Sequence, residues 1–302
     1  MPVLWGSYPE PVRGSLSLLV IVLNTIFWCL LLFLIALFKL VIPVPGWRLL
    51  CGKLANGVAQ RWVWVNSTGL KLTKDIEWDI RGIEGLRTDR WYLLLCNHQT
   101  MVDIVVLQSA FHGKAPLLKF FLKKELFWVP ILGQAWWALD FPFMERTSSA
   151  RRDLDTARKA CDKFRLSPVT VMNFVEGTRF TLAKKQEQGS PYTHLLKPKV
   201  GGIAVVLSSM GDRLESILDV TIAYPGGVSG LWRFLCSRSV RITVRVKQIP
   251  INSDLQGDFF ADRGYRQRFV AWLNNLWEEK DKLMGELLQA GDSPAAGPRS
   301  RP

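Results

Sequence analysis

WYLLLCNHQTMVDIVVL, residues 91–107, is the stretch that decides how this chain folds. Trp91 to Cys96 is a short charge-free apolar run, with the length and composition of a buried strand. The polar turn NHQTM interrupts it, and the apolar run IVVL follows Asp103. A buried strand that hands over to a helix through a polar turn is the building unit of α/β sheets, and the carboxyl ends of such strands form ligand crevices. His98 and Asp103 fall at this handover. Five residues is a poor same-face spacing on one helix, so the two side chains meet only if His98 lies in the turn and Asp103 is already helical. A histidine so placed can act as a general base, with the carboxylate fixing its tautomer and stabilising its charged form.

Further along, the same arrangement recurs. VTVMNFV, 169–175, reads as a second strand and runs into FVEGTRF, 174–180. Gly177 permits a tight turn or close substrate approach. Arg179 offers a planar fork suited to phosphate, and Glu176 reads as an orienting partner rather than a second base. DVTIAY (219–224) and the alternating RITVRV (241–246) read as further strands. Leu154, Ala157, Cys161 and Phe164 recur at helical spacing. From Arg263 to Ala290 the chain has the pattern of an amphipathic helix, with Phe269, Leu273, Leu276, Met284 and Leu287 or Leu288 on one stripe. The expected fold is α/β, a mixed sheet flanked by helices, behind an N-terminal membrane-embedded helical segment.

That segment rests on the stretch between Arg13 and Lys39, which holds no charge and is long enough to span a bilayer as a helix. A signal peptide would have a shorter apolar region and a small-residue cleavage site, whereas this run leads into LVIPVPGW. A helical hairpin within one leaflet is the alternative, because Asn24 falls near the middle. Lys39, Arg48, Lys53, Arg61, Lys71 and Lys74 follow with no acid before Asp75, so the positive-inside rule places the remainder in the cytoplasm. The basic segment with Trp47, Trp62 and Trp64 suits a lipid headgroup layer. The expected boundaries are 1–75 for anchor and interfacial segment, 76–290 for the α/β domain, and 291–302 for a disordered Pro/Gly/Ser-rich tail.

Composition narrows the function classes. The chain has 302 residues, 48% of them hydrophobic, with 13 Trp and a net charge of +13. That balance favours an anionic partner. The Trp residues are scattered and no recognition motif is present, so a lipid surface or a phosphorylated substrate is expected rather than nucleic acid. Five cysteines at wide spacings read as reduced, buried thiols. No close His/Cys pair suggests a metal site.

The pairing of NHQTMVD with FVEGTRF roughly 75 residues later, behind an apolar N-terminus, resembles the glycerolipid acyltransferase family, which includes the lysophosphatidate acyltransferases. FLKKELFWVPILG (121–133), FPFMER (141–146), LLKPKVGG (195–202) and TIAYPGG (221–227) resemble its other blocks in order. The look is nearest to its bacterial YihG-type members, and thus to a bacterial inner-membrane protein. The resemblance implies transfer of a fatty acyl group from acyl-CoA or acyl-carrier protein to the free hydroxyl of a lysophospholipid, with no cofactor. It assigns His98 as base and Asp103 as its partner. Lys123 or backbone N–H groups would serve the oxyanion. Arg146, Glu176, Gly177, Thr178, Arg179 and Lys199 would form the acceptor side. One block departs from the pattern: Ala223, Tyr224 and Pro225 stand where a valine-proline-valine type of sequence is common. That version is closer to the lysocardiolipin and lysophosphatidylinositol branch. No G-x-S-x-G elbow is present, so direct attack on the thioester is expected rather than an acyl-enzyme.

Overall fold

The computed structural model describes residues 6–144, 150–227 and 230–292. Two long helices come first, α1 (Glu10–Val41) and α2 (Pro45–Thr73). Pro11 sits in the first turn of α1, where its missing N–H costs nothing, and Pro43 and Pro45 separate the two helices. α2 runs back along α1, with Ala55 and Ala59 in one cluster with Cys29 and Leu32. Farther along the same buried stripe of mostly small residues, Ser67 meets Ser109 and Leu70 joins the core under the helix that carries Ser109. Asn24 does not break α1. Its amide donates to Asn66 Oδ1 on α2 at 2.8 Å, and the Trp28 indole donates to Asn24 Oδ1 at 2.8 Å. The alternative of a hairpin within this stretch is thus not what forms: α1 is one unbroken helix, and the antiparallel pair is α1 with α2. The basic Trp-rich stretch is helical and forms α2, the second arm of this pair.

The α/β unit follows. In chain order it comprises β1 (Asp75–Arg81), β2 (Trp91–Cys96), α3 (Val102–Phe111), β3 (Leu118–Phe120) and β4 (Leu122–Lys123). A 3₁₀ turn (Lys124–Trp128) leads to α4 (Leu132–Ala138), β5 (Phe143–Met144), α5 (Ala150–Phe164), β6 (Thr170–Phe174), α6 (Leu182–Gln188) and α7 (Gly201–Met210). Then come β7 (Leu214–Ala223), α8 (Leu231–Cys236), β8 (Ser239–Pro250) and α9 (Arg263–Asp292). The main sheet has the order β1-β8-β7-β2-β6-β3; β4 and β5 form a separate two-stranded ladder. All pairs in the main sheet are parallel except β7 with β8, as expected of a mixed sheet. β7, β2 and β6 are parallel neighbours, so their carboxyl ends lie along one edge.

Alternation along β2 sorts the core into two layers. Leu93 and Leu95 face α5, α7 and α9 in a cluster with Cys161, Phe164, Ile203 and Trp277. Tyr92, Leu94 and Cys96 face the other way, with Val102 and Val106 of α3 and Phe234 of α8. A run buried on both faces is what a central parallel strand requires. The expected helices are present. In α9 the stripe Phe269, Leu273, Leu276 and Met284 is buried together with Trp277. All five cysteines are unpaired and buried.

Both ends of α1 rest on the α/β unit. At its start the Arg13 guanidinium donates to the Cys236 carbonyl at the end of α8, at 2.9 and 3.2 Å. At its end Lys39 pairs with Asp140 beyond α4 at 2.5 Å. Between them, Cys29 and Leu32 share a cluster with Ala135, Leu139 and Phe141. The opposite side of α1 carries Leu23, Phe27, Leu30, Leu34, Leu37 and Val41, an exposed apolar stripe at intervals of three and four. The helix is long and apolar enough to cross a membrane. The expected disordered tail falls largely on residues 293–302, outside the described residues.

Candidate active site

Three segments converge at the carboxyl ends of β2, β6 and β7, the position where open α/β sheets form crevices. His98 lies in the turn after β2 and Asp103 in the first turn of α3, the arrangement that their spacing demanded. His98 Nδ1 stands 2.9 Å from Asp103 Oδ2. The same carboxylate oxygen accepts from the backbone N–H of Gln99 at 2.6 Å and of Thr100 at 2.9 Å, while Oδ1 accepts from the Tyr224 hydroxyl at 2.6 Å. Besides the imidazole, three donors turn toward this carboxylate, an arrangement that suits an acceptor. The tautomer that fits it carries its hydrogen on Nδ1 and presents Nε2 as a lone-pair acceptor. Phe174 stacks on the imidazole, ring centroids 3.8 Å apart and 13° from parallel. The ring is thus fixed in plane and in tilt, and its side chain keeps 12% of its surface open to solvent.

Glu176, in the turn after β6, fixes the backbone of the same turn. It is fully buried. Oε1 accepts from the His98 N–H at 2.8 Å and Oε2 from the Leu196 N–H at 2.9 Å. Burial raises its carboxyl from 4.5 to about 7, against the lowering effect of those two N–H groups and of Lys280. Both carboxyl oxygens are thus occupied by backbone N–H groups. Gly177 turns the chain at φ +67°, with the Lys199 methylenes about 3.0 Å from where a Cβ would stand. The Phe180 N–H then donates to the His98 carbonyl at 2.7 Å, which docks the whole EGTR turn on the histidine turn.

Beyond Gly177 the site opens. The Thr178 hydroxyl accepts from Lys184 Nζ at 2.7 Å, so it braces the turn. Arg179 and Lys199 are exposed, and among the described residues neither side chain has an ion-pair partner. Two uncompensated cations flanking one turn make a place for an anion. Lys123 is exposed on β4; among the described residues no hydrogen bond or ion pair joins it to His98 or Asp103. Arg146 lies outside the described residues. Among the described residues no group of three or more His, Cys, Asp or Glu is placed to hold a metal ion.

Four supporting residues escaped the reading of the sequence. Asn97, fully buried, donates to the Ile222 carbonyl and accepts from the Ile222 N–H, both at 2.9 Å; it ties the end of β2 to β7 as a peptide group would. Tyr224 stood out only as a departure in a block, not as a ligand of Asp103. Burial and the adjacent Asp103 push its hydroxyl well above its ordinary value, so it remains a donor. Phe174 was read as part of a motif with no role. Lys280 of α9 is buried; its ammonium lies 2.7 Å from Asp219 Oδ1 and donates to the Val220 carbonyl at 2.6 Å, bracing β7 below the site. A polar residue at the end of an apolar strand was the available signal for Asn97. Nothing local marked the other three.

A family model described as Acyltransferase matches residues 77–225. The "1-acyl-sn-glycerol-3-phosphate acyltransferase delta" of Mus musculus is 28% identical over 67% of this chain and 54% of its own length. The epsilon protein of the same organism is 24% identical over 66% and 59%. A probable 1-acyl-sn-glycerol-3-phosphate acyltransferase 5 of Arabidopsis thaliana is 27% identical over 68% and 56%. The chain spans little more than half the length of these relatives. In fold, it is similar to the 1-acyl-sn-glycerophosphate acyltransferase PlsC of Thermotoga maritima. The TM-score is 0.56 at 16% identity, covering 95% of this chain and all of the other.

Proposed function

We propose, from the premise that residues 77–225 make this chain a member of the acyltransferase family, that it moves a fatty acyl group from a thioester donor to the free glycerol hydroxyl of a lysophospholipid. The acceptor we favour is 1-acyl-glycerol-3-phosphate, giving phosphatidate. The observation that carries the chemistry is the histidine whose Nδ1 faces Asp103 at 2.9 Å, with no hydrogen-bond partner on Nε2 among the described residues. Nε2 removes the proton of the acceptor hydroxyl as its oxygen attacks the thioester carbonyl. The C–S bond breaks, the C–O ester bond forms, and the proton passes from the imidazolium to the departing thiolate. Asp103, held by four donors, stabilises the imidazolium without moving. Glu176 keeps the His98 backbone in place. Arg179 and Lys199 hold the acceptor phosphate. Acyl-CoA or acyl-carrier protein supplies the activated group, so no cofactor is required.

The protein is membrane-associated through α1. Because both ends of α1 rest on the α/β unit, we read the helix as lying along one leaflet with its exposed stripe in the hydrocarbon. The α/β unit faces the cytoplasm, in keeping with the basic charges that follow α1. The experiment is an acceptor screen on purified protein with labelled acyl donor, wild type beside His98→Ala. Lysophosphatidate is expected to be acylated, with turnover lowered by about 10²–10⁴-fold in the variant. Acylation of lysocardiolipin or lysophosphatidylinositol instead would move the acceptor to the branch that Tyr224 and Pro225 resemble. Free fatty acid as the sole product, or near-normal turnover in a folded His98→Ala protein, would overturn the proposal.

A further inference from the structure

We infer that the segment from the 3₁₀ turn through α4, residues 124–139, is a second membrane contact: a rigid, tryptophan-tipped wedge that enters the headgroup–acyl boundary of the leaflet holding α1. The inference rests on the reading of α1 as a membrane helix and adds a separate site to it.

Exposure is the first observation. Trp128 is 76% exposed, Trp137 46% and Ile131 38%. Burying a large apolar side chain is worth about 1.5–3 kcal/mol, and this short segment leaves three of them uncovered. Single exposed apolar residues need no explanation, whereas grouped ones mark a surface that meets a partner.

Rigidity is the second. Ile131 is β-branched and yet sits at φ +68°, a conformation that costs on the order of 1–3 kcal/mol and persists only where the surroundings impose it. The surroundings do impose it. A Cβ on Gly133 would lie 2.0 Å from the Phe127 carbonyl oxygen, so only glycine lets the chain fold back this tightly. The Gln134 amide donates to that same carbonyl at 2.9 Å, and the Gly133 N–H donates to Val129 O at 2.9 Å. A loop held against its own preference, with tryptophan at its tip, is built to present that tip.

Position names the occupant. The inner side of the wedge, Ala135 and Leu139, is buried in one cluster with Cys29 and Leu32 of α1. The Lys39–Asp140 ion pair closes the junction. The wedge packs on the α1 face opposite the exposed stripe, in one rigid body with it, and so stands about one helix diameter (~10 Å) above the hydrocarbon that receives the stripe, at the level of the headgroups. Indole rings favour the membrane boundary, where the ring meets apolar chains and the N–H meets water. The mechanical consequence follows. A domain held by a single in-plane helix can roll about the helix axis; a second contact off that axis stops the roll and sets the crevice at a constant angle to the leaflet.

The test uses the full chain. Since all five native cysteines are buried, an environment-sensitive thiol fluorophore can be placed singly at Trp128→Cys, Leu34→Cys and Leu166→Cys. Leu166 is exposed and apolar but follows α5 on the opposite face of the sheet. Vesicles of phosphatidylcholine and phosphatidylglycerol carry spin-labelled lipids with the quencher at a shallow or a deep position. The expected result is quenching at positions 34 and 128, stronger by the shallow label at 128, and none at 166. Quenching at 34 with position 128 behaving like 166 would overturn the wedge while leaving the membrane helix intact. A blue shift at 128 without lipid quenching would also overturn it, because a second copy or another protein would then cover the tip. No quenching at 34 would remove the membrane reading of α1, and the wedge with it.

Discussion

Replacing Glu176 by Gln separates the charge of this buried carboxyl from its shape. Folding raises the group from 4.5 to about 7, so the folded protein favours the protonated form. Its contribution to stability is complete below about pH 4.5 and is lost as the pH rises through about 7. At about 1.4 kcal/mol per pH unit, the loss comes to about 3 kcal/mol. Gln cannot ionise and escapes it. Gln also has only one amide oxygen, so either the His98 or the Leu196 N–H, now held at 2.8 and 2.9 Å, faces an NH₂ group. A buried N–H left unpaired costs about 1–3 kcal/mol. The variant should therefore be less stable than wild type near pH 5 and equal to it or more stable near pH 8. Melting both proteins in one detergent across pH 4.5–8.5 checks this, since the difference cancels groups common to the two. At a few degrees per kcal/mol, the gap in Tm should swing by roughly 6 °C or more. Parallel Tm curves would refute the reasoning, because Glu176 would then titrate alike folded and unfolded. Activity should fall at every pH, since the backbone that positions His98 has lost a ligand.

Tyr224→Phe removes one hydroxyl and the 2.6 Å bond to Asp103; we expect a stability loss of about 1.5–3 kcal/mol and a fall in kcat with KM little changed, and an unaltered kcat would show that the three remaining donors suffice. Arg179→Lys keeps the charge but loses the two-pronged fork. Measured in micelles of constant composition, the acceptor KM should rise and the donor KM should move least. An effect confined to the donor would assign Arg179 to the thioester side.

Much of the candidate site was legible because its key residues lie at strand ends within short motifs. The apolar run 91–96 announced β2, and the five-residue spacing of His98 and Asp103 required a turn followed by a helix. Glu176 read as an orienting residue from its place in the turn, and its two N–H partners became visible only in the fold. Strand and helix periodicities are local, set by which side of a backbone each side chain leaves, so the sequence by itself determined the strands β2, β6, β7 and β8, the helices α5 and α9, the apolar N-terminal helix and the motif-bearing turns. Tertiary structure alone decided what converges on those turns. Tyr224 lies 121 positions from Asp103 and Asn97 lies 125 from Ile222, and only the order β7-β2-β6 brings them together. The second arm of the hairpin was equally hidden, because a stripe of small residues becomes an interface only when another helix lies against it. Lys280 reads as one more charge on a solvated helix until β7 packs beneath it. Burial, and the partners that make burial of a charge tolerable, arise from the assembled chain.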